Sequence, residues 1–254
     1  MDENGILLFG FIFIFLMTTL GAACVYCVKT EKIQKWQPLF FGFAAGVMLA
    51  ASIWSLLLPA LELSQIQFKE YALIPIVVSF LIGGICIPIL DNVFLKKNPS
   101  GLKKSSKLFL AVTLHNIPEG LAVGFAYGVA YLSGEYAAYM AALGLAIGIG
   151  FQNFPEGMAI SLPVRAEGTS KHKAFLYGFA SGAVEPLFSF IGFFAATMLQ
   201  SLQLWALAFS AGAMYYVVAG ELLPDIGEDT KRRFGVIGAL IGFVLMMALD
   251  VALG

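Results

Sequence analysis

The sequence of 254 residues contains little charge for its length. Asp, Glu, Lys and Arg together make up 12% of the chain, whereas 59% of it is hydrophobic, and the mean hydropathy is +0.86. A soluble globular domain usually carries about 25% charged residues. The composition therefore excludes an ordinary soluble domain and predicts an all-α integral membrane protein.

Cysteine and histidine are also scarce. The three cysteines, Cys24, Cys27 and Cys86, contain one C-x-x-C and no second pair, so they are interpreted as apolar filler and predict neither a zinc knuckle nor a disulfide. Of the two histidines, one, His115, falls in an apolar run, and the sequence has neither an H-E-x-x-H motif nor a P-loop. These absences count against a membrane metalloprotease and against a pump driven by ATP.

Eight apolar runs are long enough to cross a bilayer as helices, which takes roughly 20 residues each. We expect one transmembrane domain over residues 1–254, with nothing left over for a soluble domain. The first run follows the acidic start Met1-Asp2-Glu3-Asn4, so it is interpreted as a retained span and not as a signal peptide. The predicted spans are 5–28, 37–60, 71–94, 107–130, 136–163, 172–199, 202–222 and 234–254.

The basic residues predict the orientation of the chain. If the N-terminus lies outside, all 15 Lys and Arg residues except Lys69 fall at the inner loops. Eight spans then place both termini outside. The net charge of -1 conceals basic inner loops, which suit an anionic lipid leaflet and do not indicate binding to nucleic acid.

Two near-identical hexapeptides lie inside long apolar runs. They are His115-Asn116-Ile117-Pro118-Glu119-Gly120 and Gln152-Asn153-Phe154-Pro155-Glu156-Gly157. On a helix, the first residue and the glutamate of each copy share one face, with the asparagine beside them. The proline cannot donate an amide, which leaves the carbonyls of Leu114 and Phe151 without their helical partner. Each motif therefore directs side-chain ligands and backbone oxygen of the kind that bind metal ions toward one place.

The predicted orientation brings both motifs to a similar depth in the membrane. At 1.5 Å per residue, His115 lies about 12 Å and Gln152 about 16 Å from the inner face. A third acidic residue, Glu185, is followed by Pro186 and lies about 17 Å from the same face. Because a carboxylate in hydrocarbon costs roughly 2.5 to 3.5 kcal/mol, carboxylates at this depth predict a functional site near the midplane.

An internal echo suggests how the helices are arranged. The segment 43–48 in the second span resembles 209–214 in the seventh, which runs in the opposite direction. Together with the paired motifs, the echo predicts an inverted repeat around a midplane site. Small residues recur in any helix bundle, and 178–182 looks similar too, so close packing is the alternative explanation. Met48, at about 17 Å, is interpreted either as a soft thioether ligand or as a packing residue.

Two groups of polar residues lie at the inner loops. His172, between Lys171 and Lys173, is interpreted as solvated. An acidic run at the end of span seven is either a solvated loop or a release point for a cation, and the sequence leaves both interpretations open. Its members are Glu221, Asp225, Glu228 and Asp229.

These features resemble the ZIP (Zrt-, Irt-like) metal transporters, particularly the prokaryotic GufA-like branch. The resemblance covers the whole chain and rests on the paired motifs, the Glu185-Pro186 context and the A-G-x-M of the second span. It implies a two-metal centre in which Glu119 and Glu156 bridge both ions. It implies a first site of Met48, His115, Glu119, Gln152 and Glu156 and a second site of Asn116, Glu119, Asn153, Glu156 and Glu185.

The same resemblance implies a secondary transporter that imports divalent transition metal ions into the cytoplasm by alternating access, without a prosthetic group. It further implies a multi-pass protein of the cell membrane, the inner membrane in a prokaryote, that contacts lipid and forms a homodimer. A helix group carrying spans four and five is expected to move against a group containing spans two and seven. A passive cation channel and an intramembrane metalloenzyme are the alternative functions.

The departures from the commonest family pattern concern the substrate. Gln152 and Gly220 stand where many members have histidine, and Asn153 stands where some have aspartate. The loop 96–107 lacks a histidine-rich tract. Since carboxylate and amide oxygens also suit harder ions, the expected substrate is zinc, with iron, manganese and cadmium as further candidates.

Overall fold

A computed structural model of the protein describes residues 2–28, 30–96, 104–198, 200–224 and 232–253. Within these ranges, all regular secondary structure is helical, as the composition predicts. The first helix begins with an N-cap, because the side chain of Asp2 accepts a hydrogen bond from the amide of Gly5 at 3.1 Å.

Ten α-helices follow one another along the described chain. They are α1 (Glu3–Cys27), α2 (Thr30–Ala51), α3 (Leu58–Phe68), α4 (Leu73–Lys96), α5 (Lys104–Ser133), α6 (Tyr136–Ala166), α7 (Lys171–Gly182), α8 (Val184–Met198), α9 (Gln203–Val217) and α10 (Arg232–Leu253). A π-helical turn, Ser52–Leu57, joins α2 to α3, another, Val218–Leu222, extends α9, and short 3-10 turns at Lys69–Tyr71 and Gln200–Leu202 precede α4 and α9. The π-helical turn joins α2 and α3 into one rod, and α7 meets α8 at Ala183 to form another. The ten helices therefore form eight rods, which are numbered here along the chain.

The second rod is longer than the predicted span 37–60. Its helical structure extends from Thr30 to Phe68 through the π-helical turn. The apolar run measures the part of a helix that contacts hydrocarbon, whereas Glu62 and Gln65 beyond it are ordinary helix formers and continue the rod. The hydroxyl of Ser64 then donates to the carbonyl of Ala72 at 2.8 Å and ties the rod to the start of the next helix.

A connection of two residues positions the two motifs. Only Gly134 and Glu135 separate α5 from α6, and Gly134 has a φ of 64°, which glycine adopts without strain. So short a connection makes the two helices antiparallel neighbours. The two motifs, each about four helical turns from this connection, therefore lie opposite each other.

The outward faces of the helices are strongly apolar. Five stretches of the described residues are both long and apolar enough to span a membrane, namely Glu3–Cys27, Lys35–Tyr71, Tyr136–Ala166, Lys171–Ala196 and Arg232–Ala252. Large side chains such as Leu81 and Ile85 on α4 and Leu240 on α10 are exposed. This exposure is favourable in hydrocarbon, and the fold is that of an all-α, multi-pass membrane protein.

Glycines let the helices of a first group pack closely, and we call this set the motif group (α1 and α5 to α8). A Cβ atom at Gly21 would collide with the backbone of Phe154, which places α1 against α6. A Cβ at Gly124 would collide with the backbone of Ser189, which places α5 against α8. Small residues thus allow backbones in this group to approach each other closely.

The remaining helices form a second set, the frame group (α2 to α4, α9 and α10). Gly46 admits the backbone of Ala239, which pairs α2 with α10, and Gly212 admits that of Phe80, which pairs α9 with α4. Rods one to three can be matched with rods six to eight, and rod four with rod five. The pairing of α1 with α6 then corresponds to that of α8 with α5, and the pairing of α2 with α10 corresponds to that of α9 with α4. This arrangement agrees with the inverted repeat predicted from the echo.

The contact between the two groups is looser. Among the described glycines, positions where a Cβ would approach a neighbour within 3.0 Å lie inside one group or the other. Between the groups, a Cβ at Gly148 of α6 would lie 3.1 Å from Ser55 Oγ. The hydroxyl of Ser210 on α9 donates to the Pro118 carbonyl on α5 at 2.8 Å, and the carbonyl of Ala206 lies at the same distance from it.

Candidate metal centre

The two motifs meet in the interior of the bundle. Nε2 of Gln152 on α6 donates a hydrogen bond to Oε1 of Glu119 on α5. Both side chains are buried, and so are Asn116 and Asn153. The prolines of the motifs do not end either helix, since α5 and α6 continue through them. The α5–α6 hairpin therefore holds the polar faces of both copies together.

Glu185 on α8 connects the two motifs. Nδ2 of Asn116 lies 3.2 Å from Oε1 of Glu185, and Nδ2 of Asn153 lies 2.8 Å from its Oε2. The carboxylate therefore accepts one hydrogen bond from each motif. Its position follows from Pro186, which cannot donate to the carbonyl of Gly182 and so favours the break between α7 and α8.

The glycine that ends each motif admits another helix. A Cβ at Gly120 would lie 2.5 Å from the carbonyl oxygen of Glu185, and a Cβ at Gly157 would collide with that of Thr18. The first glycine thus lets α8 approach α5, and the second lets α1 approach α6. The small residues of the two motifs bring the backbone of neighbouring helices to the polar centre.

Three buried amide oxygens of the centre have no hydrogen-bond partner among the described residues. They are Oδ1 of Asn116, Oε1 of Gln152 and Oδ1 of Asn153. Each of these amides directs its NH₂ group to a carboxylate, so its oxygen is left for another ligand. A buried polar atom without a partner costs about 1 to 3 kcal/mol. A bound cation would remove this cost, because amide oxygens are ligands for divalent ions.

The other predicted ligands lie on the same helices or beside them. Glu156 is buried on α6, one turn after Gln152. His115 belongs to α5, but its side chain lies outside the described residues. Among the side chains that the structure describes, no three His, Cys, Asp or Glu residues form a cluster that could hold a metal ion. The centre is thus a mixture of amides and carboxylates.

Met48 is fully buried on α2 in the frame group. Its neighbour Val47 lines an apolar cavity of about 330 Å³ together with Phe154 and Pro155 of the second motif. The segment that carries Met48 therefore lies beside this motif. Met214, at the matching place of the echo, is also fully buried.

Sequence reasoning missed two polar residues of the centre. Oγ1 of Thr18 on α1 donates to Oε1 of Glu185 at 2.7 Å. Ser181 on α7 accepts from Nδ2 of Asn116, at 3.2 Å through its carbonyl and 3.3 Å through its hydroxyl. Neither residue has a spacing that distinguishes it in the sequence, so no sequence signal would have pointed to it.

The C-terminal end of α1 and the N-terminal end of α7 are tied together. The ring nitrogen Nδ1 of His172 lies 3.2 Å from the hydroxyl of Tyr26, and Nζ of Lys171 donates to the Tyr26 carbonyl at 2.9 Å. The ring of His172 is exposed, as predicted for a solvated residue, and it also contacts α1. The thiols of Cys24 and Cys27 are free.

The acidic run after span seven lies largely beyond what the structure describes. Glu221 belongs to the π-helical turn that extends α9, but its side chain is outside the described residues. Asp225, Glu228 and Asp229 are outside them altogether. The choice between a solvated loop and a release point thus stays as the sequence left it.

Buried carboxylates and amides inside an all-α membrane bundle are typical of proteins that carry ions across the bilayer. Comparison with known proteins shows which family of ion-carrying proteins the chain resembles. A family model described as ZIP Zinc transporter matches residues 105–250. The chain is 35% identical to the zinc transporter GufA of Myxococcus xanthus, over 93% of this chain and 94% of that one.

Two further relatives extend the comparison. The chain is 32% identical to the human zinc transporter ZIP11 over 97% of each chain, and 30% identical to the zinc transporter ZupT of Streptococcus mutans over 91% of each chain. It belongs to the ZIP zinc transporter family, which confirms the resemblance found in the paired motifs. It is therefore a multi-pass membrane transporter and not an enzyme.

Proposed function

We propose that the protein imports divalent transition metal ions, above all zinc, into the cytoplasm through the centre formed by α5, α6 and α8. The observation that carries this proposal is that asparagines of both motifs converge on Glu185 while their amide oxygens have no hydrogen-bond partner among the described residues. Such oxygens suit a divalent cation. The names of the relatives, all zinc transporters, favour zinc. The oxygen-rich ligand set favours acceptance of iron and manganese as well, and the thioether of Met48 favours acceptance of cadmium.

The proposed centre holds two ions. The first is bound by Met48, His115, Glu119, Gln152 and Glu156, and the second by Asn116, Glu119, Asn153, Glu156 and Glu185. The hydrogen bond between Gln152 and Glu119 supports a first site shared between α5 and α6. The amides donate to the carboxylates, and a bound metal ion would take the place of these donors.

The charge of the centre suits transport. Three glutamates supply at most three negative charges, while two divalent ions carry four positive charges, so an ion is attracted without being held too strongly to leave. A membrane potential, negative inside, favours inward movement of a divalent ion by roughly 4.6 kcal/mol per 100 mV, twice the value for a single charge. Import by this route needs no ATP.

Alternating access is proposed as movement of the motif group against the frame group. The glycine contacts support rigid packing within each group, whereas Gly148 and Ser55 approach each other across the boundary without collision. The hydroxyl of Ser210 has the carbonyl of Ala206 within reach when it leaves Pro118, so the hydrogen bond between the groups can be exchanged for one within α9.

The remaining features are proposed from the sequence. The basic loops favour a cell-membrane protein with both termini outside, an inner-membrane protein in a prokaryote. We propose that the whole chain forms one transporter domain and that two copies assemble as a homodimer within the lipid.

The proposal is tested by zinc uptake into proteoliposomes. We expect Glu119→Ala and Glu156→Ala each to reduce uptake at least a hundredfold, because each removes an anion shared by both sites, an effect on the order of 3 kcal/mol or more. Glu62→Ala on the exposed surface of α3 serves as the control and should transport normally. Uptake by Glu119→Ala near the wild-type rate would overturn the assignment of the site, and uptake that does not saturate with zinc concentration would favour a channel.

A further inference from the structure

Thr18 on α1 is held at the centre by two glycines. A Cβ at Gly157 would collide with the Thr18 carbonyl oxygen, and a Cβ at Gly182 would lie 2.8 Å from the Thr18 Cβ. Gly157 follows Glu156 of the second motif, and Gly182 ends α7 just before Glu185. The side chain of Thr18 is fully buried. Both α6 and α7 are thus shaped to admit α1 at this residue.

The hydroxyl of Thr18 has two acceptors within reach. Its oxygen lies 2.7 Å from Oε1 of Glu185, and 3.3 Å from the carbonyl oxygen of Ile14, one turn earlier in the same helix. A hydroxyl has a single proton and can donate it to one of them at a time. The shorter distance favours donation to the carboxylate.

The two asparagines that contact Glu185 have second acceptors as well. Nδ2 of Asn116 lies 3.2 Å from the carbonyl of Ser181, and Nδ2 of Asn153 lies 3.4 Å from the carbonyl of Ile14. Each of these three donors can therefore turn to a backbone carbonyl when it leaves the carboxylate. Exchanging them for a cation leaves none of the three unsatisfied.

We infer that Thr18 is a positioning residue that competes with the metal ion for Oε1 of Glu185 and thereby limits how tightly the second site holds its ion. In the metal-free state the hydroxyl stabilises the carboxylate. When an ion binds, the hydroxyl turns back to the carbonyl of Ile14. This inference rests on the proposed role of Glu185 as a ligand, and it describes how a buried carboxylate can release a divalent ion quickly enough for transport.

Removal of the hydroxyl should tighten metal binding. The substitution Thr18→Val keeps the shape of the side chain but removes the donor, so it destabilises the metal-free carboxylate more than the metal-bound one. In the wild type, binding of an ion replaces the strong hydrogen bond to the charged Glu185 by a weaker one to the Ile14 carbonyl. The variant makes neither bond, so its gain in affinity is the difference between the two. We expect the zinc Kd to fall about tenfold, with a lower KM and a lower kcat for uptake.

The experiment uses the full chain and zinc ion alone. Calorimetric titration in lipid nanodiscs gives Kd, and uptake into proteoliposomes gives KM and kcat. Thr18→Ser retains a hydroxyl and should keep the wild-type Kd. The matched control is Thr19→Val, the same substitution one residue on, where the buried hydroxyl has no partner in the described part of the chain. It should bind zinc as the wild type does.

Two outcomes would overturn the inference. One is a zinc Kd for Thr18→Val equal to or higher than that of the wild type, and the other is the same decrease in Thr18→Ser or Thr19→Val. If Thr18→Val does not accumulate, Thr18→Ala removes the hydroxyl without adding a methyl group and carries the same test. A purely structural role of Thr18 would lower the amount of folded protein but would not lower Kd.

The variant Glu185→Gln separates this inference from the proposed function. If Glu185→Gln binds zinc with wild-type affinity, Glu185 is not a ligand and the proposed second site fails. If Glu185→Gln binds zinc weakly while Thr18→Val binds it normally, the site stands and the role of Thr18 fails.

Discussion

Gln152 takes the place in the second motif that His115 has in the first. The amide donates to Glu119 through Nε2 and leaves Oε1 without a hydrogen-bond partner among the described residues. This oxygen is a harder ligand than an imidazole nitrogen, and it is the imidazole nitrogen that would favour zinc over manganese. Residue 152 is thus the position at which a single side chain should set the preference among metals.

We expect Gln152→His to increase zinc uptake relative to manganese uptake several-fold, because it adds a nitrogen ligand one helical turn from Glu156. Release of zinc should become slower. The measurement is competitive uptake from a mixture of both ions, with Gln152→Asn as a control that shortens the side chain but keeps the amide. An unchanged zinc-to-manganese ratio in the histidine variant would remove Gln152 from the set of ligands.

The residues of the centre could be predicted only where their type is rare in a membrane helix. Acidic and amide side chains stand out in apolar runs, and the two motifs that they mark meet through the hydrogen bond between Gln152 and Glu119. Thr18 could not be predicted, because hydroxyl groups in helices usually satisfy themselves on a carbonyl of the preceding turn. Thr113 does so with the carbonyl of Phe109 at 2.7 Å, and the sequence does not distinguish the two cases.

At the scale of the helix, hydropathy predicted the rods but not their ends or their irregular turns. A window of apolar residues reports contact with lipid, so it gave the middle of the second rod and missed its extension to Phe68. The π-helical turns Ser52–Leu57 and Val218–Leu222 have no hydropathy signal. By contrast, the irregular place in the sixth rod has a signal in the sequence, the proline after Glu185.

The echo between α2 and α9 is accounted for by packing. Its glycines, Gly46 and Gly212, each admit the backbone of a neighbouring helix, and its methionines, Met48 and Met214, are both fully buried. The echo therefore does not by itself identify a metal ligand. The difference between the two methionines has to be found by experiment.

The substitutions Met48→Ala and Met214→Ala remove the same buried side chain from the two helices. Each should lower stability by about 2 to 5 kcal/mol. Because a thioether is a soft ligand, Met48→Ala should also reduce cadmium uptake more than manganese uptake, whereas Met214→Ala should reduce both in proportion to protein abundance. Metal profiles measured by uptake and corrected for abundance test this. Coinciding profiles would make Met48 a packing residue.

At the scale of the whole molecule, substitutions in the close contacts within a group should affect stability. Substitutions in the looser contacts between the groups should affect transport. Gly157 lies in the tight contact between α1 and α6, whereas Gly148, on the same helix, faces Ser55 and Asp250 of the frame group. The hydroxyl of Ser55 donates to Oδ1 of Asp250 at 2.6 Å. The two glycines of α6 thus belong to interfaces of different kinds.

We expect Gly157→Ala to lower stability by about 1 to 3 kcal/mol, since the added Cβ would overlap the Thr18 backbone. Gly148→Ala should keep wild-type stability but slow zinc transport, because the added methyl group must pass the Ser55–Asp250 pair. Thermal unfolding in lipid and proteoliposome uptake measure the two properties. Equal loss of stability in both variants would contradict a looser boundary between the groups.

The two-residue connection between α5 and α6 has a consequence for the cargo. Because Gly134 and Glu135 join the two motifs into one hairpin, nearly the whole proposed coordination sphere of an ion would move as one unit. Met48 is anchored in the other body, on α2. Under the proposed movement, the ion would keep its oxygen ligands throughout transport and would contact the Met48 sulfur in one of the two access states. A preference for soft metals would therefore act at one side of the membrane only.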